Sequence, residues 1–362
     1  MMKQDTNNPY FSVDPDPFYN ALVSENASKI EASWIKLKQA FPINPYERIS
    51  AIAINERDII LTHEDQARLI DLDSLQTTNL PKSPLWHYRI TPVGKGTAKG
   101  SVRLMAIIRG GSYAFCTSKK WKWSPIKATS LVPPEAYPGA TIRLKSGDLQ
   151  VTWRSSGGGD SWAKIYTYKY KKNKWIPKND PSIYSSDPIG PSCQLNREVT
   201  FHACGPKGVL YQNYQIQKIE PFVEGKAATR FSGGDQSVIN THLGDGVVFF
   251  VNKNAQRANS SYEYAAHSYH HQTGEIKELF TIRTWENGAI AQLSPKVFAL
   301  VGGSRGKDRL THLELFTPQG LLNTDAFPLP ESMMQVHTHY VAPGRVLISA
   351  KDRLWLLKLN LK

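Results

Sequence analysis

Cysteine is scarce in this chain. Cys116, Cys193 and Cys204 are odd in number and widely spaced, with no Cys-x-x-Cys. That pattern excludes a disulfide framework and a cysteine-rich metal site, and leaves buried thiols as the expectation. Long apolar runs are missing too. The densest stretch, residues 247–251, has the length of a strand and falls far short of the ~18 apolar residues of a membrane-spanning helix. The opening Met-Met-Lys-Gln-Asp-Thr-Asn-Asn lacks the apolar core of a secretory leader, so a cytoplasmic protein is expected. Acidic residues are thin in residues 85–175, where 17 Lys and Arg stand against Glu135, Asp148 and Asp160. This quarter of the chain carries +14, more than the whole net charge of +13, an asymmetry that can mark a surface for an acidic partner.

What is present is a repeat. Seven times a short β-type run ends in a polar residue, an apolar residue and a turn: Ala53-Ile54-Asn55, Arg89-Ile90-Thr91, Arg143-Leu144-Lys145, Gln194-Leu195-Asn196, His242-Leu243-Gly244, Gln292-Leu293-Ser294 and His339-Tyr340-Val341. Each copy is followed by further β-rich runs. Several strands per period of roughly 40 to 50 residues is the signature of a β-propeller. The expected fold is therefore all-β, a seven-bladed propeller, with a single domain at 33–362 behind a lead at 1–32.

Within that lead, Asp16 before Pro17 reads as a helix N-cap with proline at the first helical position, and one short helix over 17–31 is expected. The seventh unit supplies three strands before the chain stops. Residues 34–41 resemble the outermost strands of other units, so they are expected to pair beside 353–360 and close the ring with strands from both termini.

Residues 298–303, ending in Gly302-Gly303, and the strand pattern of 310–320 resemble the kelch group of propellers. Unit five looks similar without the glycine pair, and unit three carries a kelch-like Tyr166 and Trp175. The resemblance covers architecture over some 320 residues and a motif in one or two units. Kelch propellers include interaction modules and oxidases, so the likeness implies a fold and leaves function open.

Residues two apart on a strand share a face. The repeat thus sets Arg89, Arg143, His242, Gln292 and His339 on one face of the innermost strands, with His87 and His337 one step earlier. One reading is that these polar positions line a central channel and hold water. The other is that Arg89 and Arg143, with the histidines, form a cationic pocket for a carboxylate, a phosphate or an acidic glycan, because a guanidinium binds such groups bidentately. His337-x-His339 has a spacing compatible with a metal, but no carboxylate or cysteine accompanies it, and neither metal nor cofactor is expected.

A second surface is basic and aromatic. Lys119, Lys120, Trp121 and Lys122 in unit two, and Lys171, Lys172 and Lys174 in unit three, fall at corresponding outer hairpins. They fit an acidic protein surface, nucleic acid if the aromatics are free to stack on bases, or plain solvation.

Catalytic motifs are weak. Gly302-Gly303-Ser304-Arg305-Gly306 matches Gly-x-Ser-x-Gly but sits between strand patterns and reads as a hairpin, whereas a nucleophile elbow needs a strand and then a helix. Residues 94–101 are rich in glycine and lysine without phosphate-loop spacing. Residues 88–92 are similar to the arginine-bearing strand of sialidases, and 155–162 look like an Asp-box lacking its aspartate, but one box and few acidic residues make poor glycosidase machinery. The expectation is a monomeric, non-catalytic binding or scaffold protein for an acidic protein partner, for example of the inhibitor or immunity type. A glycan-binding or glycan-processing propeller is the alternative, and nucleic-acid binding is third.

Overall fold

The computed structural model describes residues 16–23, 30–37, 50–55, 57–63, 66–80, 88–95, 102–117, 121–127, 136–144, 148–154, 163–171, 174–177, 192–195, 199–204, 207–212, 215–219, 237–258, 261–283, 287–322, 327–350 and 353–362. One helix, α1 (Pro17–Val23), precedes strand β1 (Ile30–Leu37). The first sheet is β2 (Ser50–Ala53), β3 (Asp58–His63), β4 (Gln66–Asp71) and β5 (Thr77–Asn79). The second is β6 (Tyr88–Lys95), β7 (Val102–Ile108) and β8 (Tyr113–Thr117), and the third is β9 (Tyr137–Arg143), β10 (Leu149–Arg154), β11 (Ala163–Lys171) and β12 (Lys174–Pro177). The fourth holds β13 (Ser192–Gln194), β14 (Val199–Cys204), β15 (Lys207–Gln212) and β16 (Gln215–Ile219). The fifth holds β17 (Ser237–Gly244), β18 (Val247–Ala258), β19 (Ser261–His270) and β20 (Glu275–Arg283).

In the sixth sheet, β21 (Ala289–Gln292) and β22 (Phe298–Val301) are followed by a separate ribbon of β23 (Ser304–Arg305) and β24 (Asp308–Arg309) before β25 (Glu314–Thr317) and β26 (Gly320–Leu321). The seventh joins β27 (Val336–Ala342), β28 (Arg345–Ala350) and β29 (Arg353–Leu361) to β1. Among the described residues this makes seven antiparallel sheets of three or four strands; six are meanders in chain order, and the seventh adds β1 beside β29.

The recurring apolar residue has a defined task. In four units its backbone N–H donates across the first turn to the carbonyl four residues on: Ile54 to Asp58, Leu144 to Asp148, Leu195 to Val199 and Leu293 to Val297, at 2.8 to 2.9 Å. Its side chain also reaches the following sheet. Ile54 packs in the cluster shared by the first and second sheets, Leu195 in that of the fourth and fifth, Leu243 in that of the fifth and sixth, and Leu293 in that of the sixth and seventh.

Two copies are shifted from the expected frame. In β6 the strand runs past Ile90 to Lys95, and Val93 is the residue in the second–third cluster. In β27 it is Val341, buried between the seventh and first sheets. The register irregularities at Pro92/Gly94, His242/Gly244 and Tyr340/Ala342 align Val93 and Val341 with Leu243. A shift of one or three residues exchanges the two faces of a strand, so the frame matters for every side chain on it.

Among the described residues the seams between sheets are apolar, with one exception. Ile60 and Leu104 belong to the first–second cluster, Met105 and Trp153 to the second–third, and Phe201 and Phe250 to the fourth–fifth. Phe249 and Phe298 lie in the fifth–sixth, Ala299 and Ile348 in the sixth–seventh, and Leu347 and Ile59 in the seventh–first. Between the third and fourth sheets the buried contact is polar: Thr200 Oγ1 donates to Gln150 Oε1 at 2.9 Å, and both residues are almost fully buried.

The two ends of the chain pair through β1 and β29, as expected, but over 30–37 where 34–41 was expected, and 38–41 lie outside the described residues. The pairing runs from Ile30 opposite Leu361 to Leu37 opposite Leu354. Of the helix expected over 17–31, residues 17–23 are helical, 30 and 31 belong to β1 instead, and 24–29 lie outside the described residues. The helix N-cap is as expected, with Asp16 Oδ1 accepting from the Tyr19 N–H at 3.1 Å. Gly302-Gly303 turns the chain into the β23–β24 ribbon, so the Gly-x-Ser-x-Gly match is a hairpin.

Candidate functional site

The expected channel positions that are described fall on the first strands of their sheets. Arg89 pairs opposite Ile107, Arg143 opposite Leu149, His242 opposite Val248, Gln292 opposite Phe298 and His339 opposite Leu347. His87 lies outside the described residues. The corrected frame divides this set. Arg143 stands one residue before the turn's apolar residue Leu144, but Arg89 stands four before Val93, so the repeat does not bring them to equivalent positions. His337 and His339 are half-buried and share the face of Val341, toward the first sheet, whereas Tyr340 and Thr338 face the sixth. The Thr338 hydroxyl confirms that direction by donating to the Ile290 carbonyl at 2.6 Å. Ile290, two residues before Gln292 on β21 and so on the same face, is buried against the fifth sheet. Among the described residues there is no group of three or more His, Cys, Asp or Glu placed to hold a metal ion.

The basic segments occupy the outer edges of neighbouring sheets. Residues 121–127 run along β8: Ser124 N–H donates to the Phe115 carbonyl at 2.7 Å, and Lys127 pairs with Tyr113. Trp121 and Trp123 are half-buried against the first–second cluster, while Lys122 is exposed. These tryptophans are packing residues, which removes them as free platforms for bases. In the third sheet the register sets Lys171 directly opposite Lys174 at the turn between β11 and β12. Lys119, Lys120 and Lys172 lie outside the described residues.

Both basic segments adjoin turns between third and outer strands. The first sheet shows where such turns lie. Arg57, in the turn after β2, binds the Asp71 carboxylate through Nε at 2.8 Å and Nη2 at 2.5 Å, and Asp71 opens the turn between β4 and β5. The guanidinium and the Ser74 and Asp73 N–H groups hold the Asp71 carboxyl well below the usual carboxylate range. Asp73 then meets Arg345 of the seventh sheet at 3.3 Å. Turns of both kinds thus share one end of the molecule.

Other reactive groups are locked into packing. The Cys116 thiol is buried, donates to the Thr117 carbonyl at 3.4 Å, and is pushed up to about 11 by desolvation, so it is unreactive. His267 is buried and stacks on Phe250 with centroids 5.0 Å apart. Burial pushes its imidazole down to about 4, against an opposing backbone hydrogen bond at Ala265. His270 is exposed and His271 half-buried, with Nδ1 3.3 Å from the Tyr269 hydroxyl.

A contact invisible to local sequence reading lies at the same end as the Arg57 turn. Asp16 Oδ2 accepts from Ser294 Oγ at 2.6 Å and from the Lys296 N–H at 2.8 Å, with Asp16 only 3% exposed. The helix cap is thereby also a tether to the turn after β21.

No protein-family model and no curated protein matches the chain. Solved structures do. An oligogalacturonate lyase from Vibrio parahaemolyticus matches at 7% identity with a TM-score of 0.50, over 91% of this chain and 97% of that one. A chain of a mitotic checkpoint complex matches at 10% identity with a TM-score of 0.54, over 99% and 95%. Both neighbours are propellers, so the chain has a β-propeller fold. The likeness does not single out the kelch group, and at these identities it speaks of fold alone. No described helix is long and apolar enough to cross a membrane.

Proposed function

We propose that each sheet is one blade of a seven-bladed propeller, closed through the seam between the seventh and first sheets, and that the protein is a non-catalytic module for an acidic protein partner. The partner is met at the end that carries the turns beside Lys122, Lys171 and Lys174. The observation that carries this reading is the Lys171–Lys174 register. Like charges directly opposite on a strand pair are unfavourable, and an acidic neighbour relieves them. The packing of Trp121 and Trp123 favours a protein over nucleic acid, because single-strand binding relies on exposed aromatic stacking.

The test is affinity purification of the intact protein with and without nuclease, with mass spectrometry of the eluate. A stoichiometric protein that survives nuclease and is lost on Lys122→Glu, Lys171→Glu and Lys174→Glu together supports the reading. Nucleic acid alone, or a protein retained by the triple variant, overturns it. Turnover of a fluorogenic glycoside or an oligogalacturonate would move the glycan-processing alternative ahead.

A further inference from the structure

Two equivalent turns are completed differently. After β2, the Asn55 side-chain oxygen accepts from both free N–H groups of its turn, those of Arg57 at 2.8 Å and Asp58 at 2.7 Å. After β21, Ser294 stands at the Asn55 position. Its shorter side chain accepts only from the Val297 N–H, at 3.2 Å, and the Lys296 N–H is left for another acceptor. Asp16 supplies it, and Oδ2 also accepts a hydrogen bond from the Ser294 hydroxyl. The sixth-sheet turn is in effect a two-donor receptor for one carboxylate oxygen.

Apolar complementarity surrounds that receptor. Phe18 and Leu22 of α1 are both 8% exposed and join the sixth–seventh cluster. Gly344, with φ 71°, makes room for the aromatic ring: a Cβ there would stand 2.5 Å from Phe18 Cζ. The Lys296 ammonium lies 5.5 Å from the centre of the Tyr19 ring. Carboxylate, aromatic ring and leucine occur at residues 16, 18 and 22, and all three are read by groups of the sixth and seventh sheets.

We propose that this surface is a peptide-binding socket, selective for a short helix that begins Asp-Pro-aromatic and carries leucine six residues after the aspartate. Residues 16–23 occupy it in cis, and a partner segment of the same chemistry takes it when they leave. The socket adds to the reading of a binding module without depending on it, since it lies on the sixth and seventh sheets and uses none of Lys122, Lys171 and Lys174.

The probe is a fluorescein-labelled peptide of residues 14–25, read by anisotropy against the full chain. Wild type holds its own helix in the socket, so its apparent affinity is reduced by the fraction of sockets that are open. Asp16→Asn combined with Phe18→Ala in the protein empties the socket and should tighten peptide binding at least about tenfold. Adding Gly344→Ala to that variant should abolish binding, and a peptide with Asp16→Asn should bind neither protein. A cooperatively unfolding double variant that binds no better than wild type overturns the proposal. If the double variant does not fold, Asp16→Asn alone is used, with amide exchange at Lys296 and Val297: faster exchange that excess peptide reverses supports the socket, and exchange unaffected by peptide sinks it. Because the lysines are untouched, loss of pull-down partner in the Lys→Glu variant with retained peptide binding separates the two readings.

Discussion

Trp34 of β1 meets Trp355 of β29 edge to face, with ring centroids 6.5 Å apart and planes at 87°. The Trp34 indole N–H donates to the Pro328 carbonyl at 3.0 Å, and the Trp355 indole N–H donates to Glu331 Oε1 at 3.2 Å. Arg353 binds the other oxygen of Glu331. The first and last described strands are therefore held by side chains as well as by their ladder.

Trp34→Ala should cost about 2 kcal/mol, less than a fully buried tryptophan because Trp34 is half-buried. A double-mutant cycle with Trp355→Ala should return a coupling of about 1 kcal/mol from the edge-to-face pair. Urea unfolding of the four proteins measures it. Additive costs would mean the rings merely coexist.

Gly302 and Gly306 share nearly the same positive φ, 63° and 64°. A Cβ at Gly302 stands 2.6 Å from the Met333 carbonyl oxygen and 2.7 Å from Val336 Cγ2, whereas at Gly306 nothing lies within 4 Å. Alanine at Gly306 should cost only the left-handed backbone strain, about 1 kcal/mol. At Gly302 the clash adds to that, for about 3 kcal/mol in all. Equal melting temperatures for the two variants would contradict the crowding around Gly302.

His267 makes stability depend on acid. Its imidazole titrates near 6.5 in the unfolded chain and near 4 when folded. Above pH 6.5 both states are neutral and the group contributes no pH dependence. Between those values the unfolded chain takes up a proton that the folded one does not, so stability falls as pH drops. Below the folded value the loss is complete, at about 3 kcal/mol by linkage. Urea midpoints at pH 4.5 and 7 should differ in wild type, and His267→Phe, which keeps the stack on Phe250, should reduce that difference.

The polar seam behaves as a pair. Thr200→Val leaves the Gln150 carboxamide oxygen without its hydroxyl donor and should cost about 1 to 2 kcal/mol. Gln150→Leu with Thr200→Val removes both polar partners, and the double variant should recover most of that loss. A double variant weaker than either single one would show that the cavity shape, and not the hydrogen bond, decides the seam.

Much of the architecture was legible, because the apolar residue of the repeat has a backbone role and a packing role at once. Ile54, Leu144, Leu195 and Leu293 were found at the correct position for that reason. The frame slipped at Ile90 and Tyr340, where another large apolar residue lies near the true one, Val93 or Val341, and pattern alone does not rank them. The unequal spacings of 36 and 54 residues on either side of Arg89 carried the warning. Polarity also misled on the inner strands. Gln292 lay in the polar set by alternation, yet Ile290 on the same face is buried against the fifth sheet, because both faces of an inner strand pack on neighbouring sheets. The helix cap at Asp16 was local and readable, but its bond to Ser294, 278 residues away, had no local signal.

The pairing of β1 with β29 bears on how the chain is made. Ser33 Oγ donates to the Lys358 carbonyl across 325 residues, so the strand that leaves the ribosome early waits for one that leaves late. At about 5 to 20 residues per second, that interval is on the order of tens of seconds. Throughout it, β1 presents an unpaired edge while the sheets between are being completed. A nascent chain of this protein therefore carries an open strand edge, a template for wrong pairing, until residues 353–361 have been made.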